Sequence, residues 1–174
     1  MLDRREFVYV TAVAAIGGGM VHVNAQTSQP AAPATAPATQ PSVSPKPPAL
    51  DHDMVKEFVI AGHFDLDKVK MLLGKEPGLL NATWDWGGGD FEMAIGGAGH
   101  MGRPDIANYL ISQGGRFDIF VAAMLGRLDI VKNAIAAFPN LAQSRGPHGI
   151  PLMAHAQKGG ETAAEVVRFL QSLK

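Results

Sequence analysis

The side chains best suited to chemistry in this chain are Asp85, Asp90, His100, His148 and His155. Imidazole and carboxylate together can bind zinc, iron or manganese, or can exchange protons. Their spacing does not place them on one helix, since neither His-x-x-x-His nor His-Glu-x-x-His occurs. Asp85 and Asp90 bracket Trp86-Gly87-Gly88-Gly89, a run that permits a tight reversal. No Gly-Lys-Ser/Thr follows, so this is not a phosphate loop. Two roles are open to the segment: a ligand or metal loop, or an inter-element loop in which Asp90 caps the next helix. His63 ends a first helix, and His155 stands at a packed position where an imidazole is ordinarily hydrogen-bonded. Glu92 lies too close to Asp90 in sequence to be read as its acid/base partner. Cysteine is absent, which excludes thiolate sites, and no serine nucleophile elbow appears.

The elements that must position these groups are announced by repetition. Gly102-Arg103-Pro104-Asp105-Ile106-Ala107 returns as Gly126-Arg127-Leu128-Asp129-Ile130-Val131. Small pairs, Ala98-Gly99 and Ala122-Ala123, precede each phrase, and Leu152, His155-Ala156 and Gly159 repeat the frame. A degenerate first copy runs from Ala61 through Asp67 to Leu73. Small residues let neighbouring helices approach, glycine ends the first helix, and Asp105 and Asp129 favour the start of the second. The large aliphatics Ile95, Ile119 and Leu152 should hold equivalent places in successive layers. The predicted fold is all-α: about four helix-turn-helix units stacked side by side.

This frame, with Gly114-Gly115 after the double aliphatic, resembles the ankyrin repeat. The segments Trp84-Asp85-Trp86-Gly87-Gly88-Gly89-Asp90-Phe91-Glu92, Gly99-His100-Met101-Gly102-Arg103 and Gly146-Pro147-His148-Gly149 are similar to a group of bacterial exported ankyrin-like proteins. The resemblance implies a short solenoid with reduced hairpins and a binding role. The Thr-Pro-Leu-His opening survives only as Pro151-Leu152, and insertions occupy 81–90 and 160–162. Units two apart in such a stack are separated by roughly 20 Å. Loops of the second and fourth units must therefore bend over the third if Asp90 and His148 are to meet.

Three segments make up the chain. Residues 1–25 carry Arg4-Arg5 before a weakly apolar run and end on Val23-Asn24-Ala25, the pattern of a twin-arginine export signal. Residues 26–49 are a Pro/Ala/Thr-rich tether, and 50–174 form the domain. Within 50–174, twelve Lys/Arg oppose fourteen Asp/Glu, which argues against nucleic acid and against a lipid surface. The expected location is the periplasm or another exported site, with membrane contact only through an uncleaved signal. The expected activity is recognition of another envelope protein by an accessible surface of Trp84, Trp86, Phe91, His100 and Met124. That role needs no cofactor. The alternative is a small metal- or cofactor-binding protein, or a hydrolase, that uses the His/Asp set and a divalent metal.

Overall fold

Helix formation begins where Asp51 can cap: its Oδ1 accepts from the Met54 N–H at 2.8 Å and opens α1, His52–Gly62. Asp65 does the same for α2, Leu66–Lys75, through the Lys68 N–H. The computed structural model describes residues 46–173. The segment read as an export signal, and most of the tether, lie outside the described residues. Residues 46–49 are exposed and irregular.

A 3-10 turn, Pro77–Asn81, follows α2 and leads into a small antiparallel hairpin. Its strands are β1, Thr83–Asp85, and β2, Phe91–Met93, in the register Trp84 opposite Glu92. Gly87, Gly88 and Gly89 all take positive φ at the tip, and the Trp86 N–H donates to Asp90 O at 2.9 Å. Helix α3 is Ala94–Met101 and α4 is Pro104–Ser112. Helix α5 is Ile119–Met124, capped by Asp118, and α6 is Leu128–Ala137. Helix α7 is Leu152–Lys158 and α8 is Ala164–Ser172. Asp105 and Asp129 sit in the first turns of α4 and α6, where their charge complements the helix dipole. No helix among the described residues is long and apolar enough to cross a membrane.

The described residues are mostly helical, and the helices pack in sequential pairs: α1 with α2, α3 with α4, α5 with α6, α7 with α8. The first helices form an inner row in which α1 meets α3, α3 meets α5 and α5 meets α7. Their shoulders are small residues because no larger one fits. A Cβ on Gly62 would lie 2.6 Å from Ala94 Cα, and one on Gly99 would lie 3.2 Å from Val121 Cγ2. Ile95 is buried in one apolar cluster and Leu152 in a second, against which Ile119 is half-buried. Two buried clusters make the core and meet along α5, which gives Val121 and Met124 to one and Ala122 and Ala123 to the other.

The 81–90 insertion supplies the first strand and the tip of a hairpin whose second strand is Phe91–Met93. One expectation needs correction. The third unit does not hold its neighbours fully apart, because α3 also touches α7 directly.

Candidate metal site

Glu92 occupies the middle of β2. Strand alternation turns Phe91 outward, at 61 % exposed, and Glu92 inward, at 1 %. A carboxylate so deeply buried must be compensated. The indole Nε1–H of Trp86 donates to Glu92 Oε2 at 2.8 Å. Three imidazoles crowd the same carboxylate. His63 Nε2 is 3.4 Å from Oε2, His100 Nδ1 is 3.2 Å from Oε1, and His148 Nε2 is 3.3 Å from Oε2.

Each ring arrives from a different element. His63 is the C-terminal cap of α1, and its Nδ1 donates to Val59 O at 2.9 Å, which aims Nε2 at Glu92. Its seat depends on Gly97 of α3, where a Cβ would lie 2.7 Å from the ring. His100 lies in the last turn of α3. His148 comes from the loop before α7 and holds a left-handed backbone, φ 57 and ψ 19. Asp90 fixes it twice: Oδ1 accepts from the His148 N–H and Oδ2 from Nδ1, both at 2.8 Å. The His63 and His100 ring centres are 4.9 Å apart, and those of His100 and His148 are 5.3 Å apart.

His63, Glu92, His100 and His148 form a group able to hold a metal ion: one ligand atom from each lies within 4.8 Å of all the others. Metal bonds of about 2.0–2.1 Å at a tetrahedral angle put two ligand atoms about 3.3 Å apart. That is the spacing of the three ring nitrogens from the Glu92 oxygens. His100 Nδ1 and Glu92 Oε1 are close, yet both are buried without a hydrogen bond.

Electrostatics follows the geometry. Burial alone would push Glu92 up. The His100 and His63 rings and the Trp86 N–H outweigh it and hold the carboxyl well below the usual carboxylate range. His63 is raised above its ordinary value, chiefly by Glu92 and against its own burial. Asp90 is lowered, first by the His148 backbone N–H. His155 is lowered by burial.

Of the residues singled out in the sequence, Asp90, His100 and His148 come together. Asp90 serves His148 and does not cap a helix; the residue before α3 is Met93, which makes no side-chain cap. Asp85 lies outside the group and closes the hairpin turn by accepting the Gly87 N–H at 2.8 Å. His155 also lies outside it, with its ring centre 6.3 Å from that of His100. Two expected contact residues are not accessible: Met124 is 1 % exposed and His100 is 8 %. Both face into the close-packed inner row. Trp86 and Phe91 remain at the surface, and Trp84 is half-buried with Lys56 over its ring.

His63 and Glu92 are members of the candidate group that spacing arguments passed over. A signal for the first existed: Ala61-Gly62-His63 and Ala98-Gly99-His100 are the same phrase, so both imidazoles leave the same end of adjacent helices. Compared with known proteins, the chain matches no family model, no curated protein and no solved structure.

Proposed function

We propose that this protein is a small metal-binding protein whose His63, Glu92, His100 and His148 hold one divalent first-row transition ion. The observation that carries this is the convergence of three imidazoles on one buried carboxylate. Nitrogen and carboxylate donors without thiolate suit zinc, iron or manganese. Outer partners support the reading: Val59 O orients His63, Asp90 orients His148 and Trp86 orients Glu92. Metal analysis of purified protein tests it. One ion per chain is expected, lost in His63→Ala and His100→Ala. Protein that retains no ion at micromolar free metal would refute the assignment.

The pairing order of the helices supports reading the fold as a short ankyrin-like solenoid, and Arg4-Arg5 supports export through a twin-arginine route. A second reading, capture of an envelope protein, draws on the exposed rings of Phe91 and Trp86. Phe91→Ala is its cleaner test, because Trp86 also serves Glu92. Undiminished pull-down of a partner by Phe91→Ala would count against it.

A further inference from the structure

Three buried side-chain polar atoms lack a hydrogen-bond partner among the described residues: Glu92 Oε1, His100 Nδ1 and His155 Nε2. An ion in the site just described accounts for the first two. It does not account for His155, which is outside the four-residue group.

His155 is fixed in a definite role. Its Nδ1 donates to Pro151 O at 3.1 Å, so Nε2 is left as an acceptor. The carbons flanking Nε2 lie beside two glycines. Cε1 is 3.3 Å from a Cβ placed on Gly146, and Cδ2 is 3.7 Å from one placed on Gly99. Gly99 adjoins His100 and Gly146 lies two residues before His148, so the buried Nε2 lies beside the segments that carry two of the ligands. Of the rings beside it, Phe120, with its centre 5.0 Å away, supplies no donor, and His100, with its centre 6.3 Å away, makes no hydrogen bond to Nε2. A buried acceptor without a donor is rare in folded proteins and calls for an unseen partner.

We propose that His155 Nε2 accepts a hydrogen bond from an exogenous fifth ligand on the metal, and that the site therefore selects ligands bearing O–H or N–H on the metal-bound atom, water first. This rests on the metal reading above. A donor atom about 2.0–2.2 Å from the ion and about 2.7–3.0 Å from Nε2 bridges the two, which is why His155 stands just outside the ligand group. Ligands that only accept, such as azide, gain nothing from it.

Cobalt(II)-loaded protein provides the test. Its visible spectrum is titrated with hydrazine, whose donor nitrogen carries hydrogen, and with azide. His155→Leu and His155→Gln are expected to keep one cobalt per chain. In the Leu variant, hydrazine affinity falls about tenfold, the size of one neutral hydrogen bond, and azide affinity changes less than threefold. Gln, which offers an acceptor oxygen, recovers part of the loss. A crystal structure of the cobalt protein should show a solvent oxygen within hydrogen-bond distance of His155 Nε2. Absence of cobalt in the wild type sinks the metal reading. Bound cobalt with hydrazine and azide unchanged in both variants, or with Nε2 directly on the ion, overturns the His155 role and leaves the metal site standing.

Discussion

Glu92 and the rings around it set the protonation pattern of the ion-free protein. His63 is drawn upward by Glu92, and His155 is pushed down by burial, from the same ordinary value of 6.5. His63 thus adds stability that is complete below 6.5 and fades as pH rises through its elevated value. His155 does the opposite: it costs stability as pH falls from 6.5 toward its depressed value. Ring-proton NMR titration of the ion-free protein should find His63 titrating above 6.5 and His155 below; the reverse order would contradict this electrostatic account. Gly97 and its neighbour Gly96 provide a second prediction. Gly97→Ala puts a methyl 2.7 Å from the His63 ring, whereas the nearest atom to a methyl on Gly96 is Glu92 Cγ at 3.5 Å. Both changes gain about 0.5–1 kcal/mol of helix propensity. Gly96→Ala should be neutral or stabilising, while Gly97→Ala should weaken metal binding at least tenfold, read by metal titration beside thermal unfolding. At this scale the sequence was half legible. Histidine and aspartate types suggested a site, and Glu92 hid because its direction depends on a three-residue strand that the glycine run obscured.

The hairpin and the 145–149 loop are the elements that complete the site, and they do so by gripping each other. His148 holds a left-handed backbone that costs a residue with a Cβ roughly 1–2 kcal/mol. The two Asp90 bonds offset that cost. Asp90→Asn should lower metal affinity about 10–100-fold without removing a ligand, as loss of an outer-shell partner does. His148→Asn separates backbone from chemistry, because asparagine tolerates the left-handed region. That variant should unfold at a temperature close to wild type when ion-free and should lose its metal; a large drop in its stability would show that the ring also serves packing. Helices were readable in advance because capping aspartates, terminal glycines and small pairs act locally. The contact between Asp90 and His148 was not, because it spans 58 positions and depends on how far α5 keeps α3 from α7.

At the scale of residues 46–173, four sequential helix pairs are held by an apolar core, without cysteines to reinforce it. A bound ion would join the first pair, the second pair with its hairpin, and the loop entering the fourth. Ligand binding to the folded state alone stabilises by about 2.7 kcal/mol at a hundredfold excess over Kd. Saturating zinc or manganese should therefore raise the unfolding temperature on the order of 10 °C, reversed by chelator and absent in His63→Ala. Stacked helical hairpins can ordinarily grow or shrink by whole units, since each touches only its neighbours. Here Asp90 at the second helix pair clasps His148 from the loop entering the fourth, with the third pair between them in sequence. Duplicating that middle pair would carry His148 about 8–10 Å farther from Asp90. The length of this protein is thereby locked by its chemistry, as a clasp fixes the size of a bracelet.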